Sequence, residues 1–389
     1  MIYFAVLLLI LILIVHYDIN RKKTYRDFWY VFLLIAFILI AGLRWRLMVD
    51  TPNYIAFFYY WTPRLDDYNF TLFKSPFYTL INSIVKTYGG RFYIVQLIEA
   101  SFVNILIFKY FKRYSKYIFT CLLFYFIGAY AGLSMETMRA SFSVVSCLYA
   151  YDLFLEKKRL KAYSLIIFAL LFHPQTIVIF VLPFLFFLRL NKTGVLFLVG
   201  SFILGIILGR TLGDYVDFFE FDEHLADTVS SYAESDRFGG AMESISTIVA
   251  QVLSIIYTIA ALYLVKKYRS SSNLLKFEAF VMIGLCFAMM RFNFDIAYRY
   301  INYFQVYFII FHSELMMLII HRAKDIDKFG ACLKAFIVFL PFFFIIGTRK
   351  YVKRHTLFPY SSVIERKIDD EREYRYSLSG RPSANINEY

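Results

Sequence analysis

Long apolar runs recur along most of this chain and constrain its fold more than any other feature. Several approach the roughly 17 to 25 residues that a helix needs to cross the hydrocarbon core of a membrane. Examples are residues 28–43, 117–132, 194–209, 245–265 and 331–347. The chain has 389 residues and 60% are hydrophobic, more than a soluble domain could bury. Helices satisfy their own backbone in lipid, and the alternation typical of barrel strands is absent. We therefore predict an all-α polytopic membrane protein.

Basic residues are gathered in short clusters between the apolar runs. The formal charge is +13, from 42 lysines and arginines against 29 aspartates and glutamates. This distribution is typical of cytoplasmic loops beside anionic membrane lipids, and it does not favour nucleic acid as a partner. The clusters are Arg21/Lys22/Lys23/Arg26, Lys109/Lys112/Arg113/Lys116, Lys157/Lys158/Arg159/Lys161, Arg189/Lys192, Lys266/Lys267/Arg269 and Arg322/Lys324/Lys328. The cysteines have no CxxC spacing and predict neither a disulfide nor a metal site.

The positions of these clusters predict the topology. Placing every cluster in the cytoplasm puts the N-terminus outside and gives about twelve spans. Residues 72–85 are then an outer interfacial or re-entrant segment, because a crossing there would move the cluster around Lys112 outside. The stretches flanking His173 and Pro174 are short, and thin spans or a re-entrant hairpin remain alternatives. We predict one transmembrane domain over residues 1–348, with outer loops at about 44–92 and 210–243.

A polar C-terminal tail is predicted over residues 349–389. Its basic residues include Arg349, Lys350, Lys353 and Arg354. Twelve spans would place this tail outside the cell membrane, whereas basic residues favour the cytoplasmic side. The side of the membrane on which the tail lies is therefore left undecided.

Arginines collect near the outer ends of several predicted spans. A single arginine there can snorkel to lipid headgroups, but outer loops are usually depleted of basic residues, so a cluster favours an anionic partner. The guanidinium group is planar, and two of its N–H groups can donate to two oxygens of one phosphate. We predict diphosphate binding by Arg44, Arg46, Arg139, Arg210, Arg237, Arg291 and Arg299. Two structural alternatives remain: an Arg46–Asp50 ion pair if residues 43–49 are helical, and a charge ladder of Arg291, Asp295 and Arg299.

Four polar side chains near the same outer ends are candidates to accept a proton from an attacking hydroxyl. They are Asp50, Glu136, His173 and Asp295. Glu136 is also explained by the dipole at a helix start, and His173 by a structural role beside a helix-breaking proline. The sequence has no phosphate-binding glycine loop, HExxH or GxSxG motif. The first outer loop also has no paired acidic motif of the kind that metal-dependent lipid-phosphate glycosyltransferases use, because Asp50 stands alone and Asp66-Asp67 lies further on among polar residues. We predict metal-independent chemistry without a cofactor.

Several short segments together resemble the EpsG family of bacterial polysaccharide polymerases, which are related to the Wzy O-antigen polymerases. They are "GLRWRLMVDTPNY", "SPFYTLINSIVKTYGG", "METMRASFSVV", "LFHPQTIVIF", "RYINYF" and "FPYSS", and the resemblance spans residues 1–362. It points to Arg44, Asp50, Arg139, His173 and Arg299. Where the family often has an acidic residue this chain has Ser75, and where it often has glutamine this chain has Ala140.

The resemblance implies a GT-C-like enzyme of the bacterial inner membrane with its active site facing the periplasm. Such an enzyme joins oligosaccharide repeat units carried on undecaprenyl diphosphate, for lipopolysaccharide O-antigen, capsule or exopolysaccharide. The expected partners are the lipid-linked donor and acceptor, a chain-length regulator protein and a flippase. An O-antigen ligase or another lipid-linked-sugar transferase is the alternative, followed by a transporter. A transporter is less favoured, because transporters are usually built from repeated halves and carry their charged groups near the membrane midplane.

Overall fold

A computed structural model describes residues 2–211, 245–269, 273–322, 327–347 and 360–366. Within these ranges the chain is helical and forms no strand. The α-helices are α1 (Ile2–Leu13), α2 (Arg26–Gly42), α3 (Thr51–Ala56), α4 (Pro76–Thr87), α5 (Phe92–Tyr114), α6 (Ile118–Tyr125), α7 (Met138–Leu155), α8 (Arg159–Leu170), α9 (Lys192–Thr211), α10 (Ile245–Tyr268), α11 (Glu278–Met290), α12 (Tyr298–Ile301), α13 (Gln305–Arg322) and α14 (Lys328–Gly347).

The helices confirm a polytopic membrane protein. In the described ranges, five segments are long and apolar enough to cross a membrane: Ile2–Ile19, Phe92–Tyr114, Lys192–Gly209, Ile245–Tyr268 and Asn273–Met290. A sixth is added if Asp295–Ile301 and Gln305–Arg322, which are bent by 71° to each other, form one broken span. Shorter apolar helices occur at Ile118–Tyr130 and Gly330–Ile346. The count of about twelve spans stays a prediction.

Exposed apolar side chains mark the faces that contact lipid. On α1, Phe4, Leu8 and Ile12 are exposed at steps of four residues. Such spacing places them on one side of the helix. A soluble protein rarely exposes so continuous an apolar face, whereas lipid solvates it.

The described residues fall into two compact units. The first is drawn from Met1–Tyr149, Tyr163–Ile177 and Ile346–Tyr389, and the second from Ala150–Ala162 and Val178–Ile345. Aromatic rings pack against one another in both cores. In the first unit Phe37 lies 5.3 Å from Phe108 and 4.5 Å from Tyr130, measured between ring centroids. In the second, Tyr151 stacks on Phe280 at 5.0 Å. The single domain predicted over residues 1–348 stays a prediction.

Helices α2 and α5 form the framework of the first unit and run antiparallel. At one end, Arg26 Nη2 donates to the carbonyl oxygen of Lys116 at 2.7 Å, and Lys112 Nζ lies 2.8 Å from Asp27 Oδ1. At the other end, Gly42 allows the close approach of Leu97: a Cβ on Gly42 would lie 2.9 Å from Leu97 Cα. Two predicted cytoplasmic clusters therefore meet at one end of the pair, and residues 43–46 lie at the opposite end.

The segment predicted to be interfacial or re-entrant forms the short helix α4. Pro76 occupies its first turn, where proline suits a helix start. Its end is closed by Gly89 at φ 71, with a hydrogen bond of 2.8 Å from Gly90 N to the carbonyl oxygen of Val85. Twelve residues are too few to cross a hydrocarbon core of about 30 Å.

The stretch after His173 contains no α-helix. Helix α8 ends at Leu170, and two 3-10 segments follow at Pro174–Phe180 and Leu182–Leu185. Neither 3-10 segment is long enough to cross a membrane alone.

Candidate functional site

The segment after α2 turns sharply and places two arginines at the end of the helix. The helix ends at Gly42. Arg46 has φ 46 and Met48 has φ 78, both in the left-handed region that side-chain-bearing residues rarely adopt. Each such residue costs on the order of 1 to 3 kcal/mol, and such strain is common at functional sites. Because residues 43–49 are not helical, the helical arrangement that would pair Arg46 with Asp50 does not form.

A second segment, distant in sequence, lies along these residues. Trp45 N donates to the carbonyl oxygen of Ser361 and Val363 N donates to that of Leu43, both at 2.9 Å. Together they make an antiparallel bridge between Arg44 and Ser362. We call residues 360–366 the C-terminal strap. Although they belong to the predicted polar tail, they are part of the first unit.

The strap completes a cavity of about 330 Å³ whose walls carry four arginines, Arg44, Arg46, Arg91 and Arg366. We call it the arginine cavity. Its described lining contains no carboxylate. Arg44 is 1% exposed and Arg46 7%, whereas Arg91 and Arg366 are exposed. The guanidinium carbons of Arg46 and Arg366 each lie 5.4 Å from the centre of the Trp45 ring, so these two cations share one aromatic neighbour.

Arg44 is the most deeply placed member of the cavity. Its Nη1 donates to the carbonyl oxygen of Ala41. Its Nε and Nη2 have no hydrogen-bond partner in the described part of the chain. Burial lowers the pKa of Arg44, while the negative charge of Glu99 acts in the opposite direction. A buried guanidinium whose N–H groups lack partners can donate hydrogen bonds to an anion or to another acceptor.

An apolar groove adjoins the arginine cavity. It is lined by Ile2, Leu39, Ile40 and Leu43, together with Tyr360, Ser362 and Glu365 of the strap. Leu43 lines both the groove and the cavity. An apolar surface therefore leads directly to a cationic site.

Arg139 lies near two tyrosines of the first unit. The rings of Tyr54 and Tyr78 meet edge to face at 5.8 Å, and Tyr78 Oη lies 3.9 Å from Met138 Sδ at the start of α7. Burial raises the pKa of Tyr54 and of Tyr78, and the positive charge of Arg139 acts against that rise in both. Tyr78 also acts on the charge of Arg44. Arg44 and Arg139, predicted on separate spans, therefore both interact electrostatically with Tyr78.

The predicted proton acceptors of the first unit lie around this region. Asp50 immediately precedes α3, and its charge contributes to the raised pKa of Tyr54 after the larger effect of burial. Glu136 is the last residue of the π-helical turn before α7 and is half-buried. His173 is half-buried, with Nε2 3.1 Å from Gln175 Oε1.

The predicted residues of the second unit form a local polar cluster. Arg291 Nε lies 2.9 Å from Asp295 Oδ1, and Arg291 Nη1 donates to Gln251 Oε1 at 3.1 Å. The guanidinium carbons of Arg291 and Arg299 lie 5.4 Å and 6.0 Å from the centre of the Tyr298 ring. The chain is not continuously helical here, since a 3-10 turn at Asp295–Ala297 separates α11 from α12. The Arg291–Asp295 contact is one step of the charge-ladder alternative, which assumed a continuous helix through Arg299.

Two further predicted arginines cannot be placed. The side chain of Arg210 and the whole of Arg237 lie outside the described residues.

Sequence reasoning missed three charged residues of the first unit: Arg91, Arg366 and Glu99. Arg91 precedes α5 and Arg366 lies in the strap, and nothing local in the sequence connects either with Arg44. Glu99 did carry a signal, because an ionisable residue inside an apolar span is a functional candidate by default.

Comparison with known proteins identifies one family. The EpsG family model matches residues 27–362. No curated protein and no solved structure matches the chain. Within the described residues, no three histidine, cysteine, aspartate or glutamate side chains come together as a metal site.

Proposed function

The chain belongs to the EpsG family, and on that premise we propose that it is a polysaccharide polymerase of the bacterial inner membrane. The family is associated with glycosyltransferases of the polysaccharide polymerase type. The proposed reaction joins oligosaccharide repeat units carried on undecaprenyl diphosphate, without a metal ion. The proposed active site faces the periplasm.

The arginine cavity beside the apolar groove is the observation that carries this proposal. A prenyl diphosphate has a long apolar chain and a compact anionic head. The groove lined by Ile2, Leu39 and Ile40 suits the chain, and the cavity containing Arg44 and Arg46 suits the head. Guanidinium groups bind phosphate oxygens in pairs, and this geometry favours a diphosphate over a single carboxylate.

The proposed chemistry follows from where negative charge develops. The acceptor hydroxyl attacks the anomeric carbon of the donor sugar, and the bond from that carbon to the diphosphate oxygen breaks. The departing diphosphate keeps the bonding electrons and gains negative charge. Arginines that bind this charge more strongly in the transition state than in the ground state lower the barrier. Arg139, beside Tyr54 and Tyr78, is a further cation for the same head group.

The proposed periplasmic location rests on the antiparallel α2–α5 pair. Arg26 and Lys112 lie at the end of the pair remote from the arginine cavity. Clusters of lysine and arginine in short loops favour the cytoplasmic side. Helix α2 has 17 residues and is about 25 Å long, close to the thickness of a hydrocarbon core. If the basic end is cytoplasmic, the cavity opens at the periplasmic side.

Reconstitution tests the proposal. Purified protein in proteoliposomes receives lipid-linked repeat units extracted from cells that lack this gene, with EDTA present. A polymerase converts them into a ladder of chains on undecaprenyl diphosphate. A ligase makes no ladder and needs a different acceptor, and a transporter moves the repeat unit without changing it.

The matched variants are Arg44→Ala in the cavity and Arg159→Ala on the exposed start of α8. We expect a ladder from wild type and Arg159→Ala and none from Arg44→Ala. Failure of a folded wild-type preparation that binds undecaprenyl diphosphate to lengthen the repeat unit would refute polymerisation.

A further inference from the structure

Glu99 is a buried acid inside a predicted membrane span. It lies on α5 and is 0% exposed. An ionisable side chain in the middle of a span is costly, by roughly 2.5 to 3.5 kcal/mol on insertion scales, and such residues usually pair with one another or serve a function. The reaction proposed above does not yet use it.

The contacts of Glu99 are incomplete. Neither carboxylate oxygen has a hydrogen-bond partner among the described residues. Arg44 acts electrostatically on Glu99, yet its Nε and Nη2 are also without partners there. Buried polar groups are nearly always hydrogen-bonded, so a neighbouring acid and base that both keep unused atoms require an explanation.

The packing of α2 against α5 brings this pair to the cavity. Gly42 contacts Leu97 closely enough that no side chain fits between the helices. Arg44 follows two residues later, and Gln96 lies in the lining of the arginine cavity. Gln96 and Glu99 are three residues apart on α5 and therefore share a helix face. Glu99 thus lies one helical turn further into the protein than the cavity wall.

A hydroxyl group matches the unused atoms of both side chains. It donates one hydrogen bond, as the Glu99 carboxylate requires, and accepts others, as Arg44 Nε or Nη2 requires. A fully ionised phosphate cannot do both, because it has no proton to donate and its oxygens would repel the carboxylate. A neutral sugar hydroxyl adds no net charge to a buried site.

We propose that Glu99 and Arg44 together bind the attacking hydroxyl of the acceptor sugar and that Glu99 takes its proton. The inference rests on the proposed polymerase function. As the acceptor oxygen bonds to the anomeric carbon, its proton passes to a Glu99 carboxylate oxygen, and the diphosphate leaves with the electrons of the broken bond. Arg44 then contacts the acceptor oxygen as well as forming the floor of the diphosphate cavity.

Two of the acids and bases predicted from sequence are less suited to this role. Asp295 is occupied by Arg291 at 2.9 Å. His173 already interacts with Gln175 at 3.1 Å. Glu99 combines complete burial with two unused acceptor atoms beside a cation.

The test substitutes Glu99 without changing its shape. Glu99→Gln keeps the volume and removes the base, Glu99→Asp keeps a shorter carboxylate, and Glu156→Gln is the matched control in an ion pair with Lys158. General base catalysis contributes about 10²- to 10⁴-fold. We expect Glu99→Gln to lower the polymerisation rate at least a hundredfold while the affinity for undecaprenyl diphosphate stays within threefold. Glu156→Gln should match wild type.

A pH profile distinguishes a base from a structural side chain. Arg44 acts electrostatically on Glu99, and Glu99 in turn acts on Tyr78 and Tyr125. Glu99 is the one carboxyl in this set of four side chains, so it is the group that would give the wild-type rate an acidic limb, rising with pH as the base is deprotonated. Glu99→Asp should keep the limb at a lower rate, and Glu99→Gln should lose it.

Three results are decisive. Polymerisation by Glu99→Gln within threefold of wild type overturns the assignment. If Glu99→Gln does not accumulate in cells, the pH profile of wild-type polymerisation decides instead. A wild-type profile without an acidic limb then overturns the assignment of Glu99 as the base. A wild-type protein that neither binds undecaprenyl diphosphate nor polymerises repeat units refutes the proposed function itself, which is a separate failure.

Discussion

Gly42 does not line the arginine cavity, yet its substitution by alanine should lower both the stability of the protein and the rate of polymerisation. The added Cβ would lie 2.5 Å from Leu97 Cδ2, 3.0 Å from Leu97 Cγ and 2.9 Å from Leu97 Cα. A leucine side chain can rotate away, but the backbone contact relaxes only if α2 and α5 move apart. Overpacking of this kind costs about 1 to 3 kcal/mol.

The movement should also alter the arginine cavity, because Arg44 lies on the α2 side and Gln96 on the α5 side. We expect Gly42→Ala to lower the melting temperature by a few degrees and polymerisation by roughly tenfold, since small displacements of positioning groups are costly to catalysis. Both are measured on detergent-purified protein at matched amounts.

Two variants check the mechanism. Leu97→Ala in the Gly42→Ala background removes the contacts with Cδ2 and Cγ but not that with Cα, so rescue should be partial. Gly128→Ala is the control, because a Cβ there meets nothing within 4 Å. A Gly42→Ala protein as stable and active as Gly128→Ala would refute the argument that this contact positions the site.

Three further predictions concern single charged side chains. Arg366→Lys keeps a cation but loses the planar contact with Trp45, and should lower polymerisation about tenfold on a chain-length gel without changing the melting temperature. Arg139→Lys loses one charge-assisted contact, worth about 1.5 to 3 kcal/mol, and should slow polymerisation roughly tenfold to a hundredfold at unchanged accumulation. Arg291→Lys should lower stability by about 1 kcal/mol with unchanged diphosphate affinity, and an affinity loss as large as that of Arg139→Lys would instead place Arg291 at the diphosphate.

The sequence predicts the class of fold well because hydrophobic length is a local property. The apolar runs predict helices, and the basic clusters predict that Arg26 and Lys112 share a side of the membrane; in the structure the two residues lie at the same end of the α2–α5 pair. The segment at residues 72–85 was correctly excluded as a full span, since α4 has only twelve residues.

The candidate site was predictable only in part because it depends on contacts between distant residues. Arg44 and Arg139 stand out locally as charges at span ends. Arg366 enters the cavity only through the backbone pairing of the strap with residues 43–45, and no periodicity indicates such pairing. Nothing local in the sequence indicates the left-handed conformation of Arg46, which lies next to this pairing.

Binding of undecaprenyl diphosphate to the arginine cavity is the central claim, and an affinity measurement in nanodiscs tests it most directly. The ligands are undecaprenyl diphosphate and undecaprenyl monophosphate, and the proteins are wild type, Arg44→Lys and Arg159→Lys. The cavity predicts that wild type and Arg159→Lys bind the diphosphate at least about tenfold more tightly than the monophosphate, and that Arg44→Lys loses roughly tenfold to a hundredfold in diphosphate affinity. Equal affinity of wild type for the two lipids, or unchanged diphosphate affinity in Arg44→Lys, would contradict it.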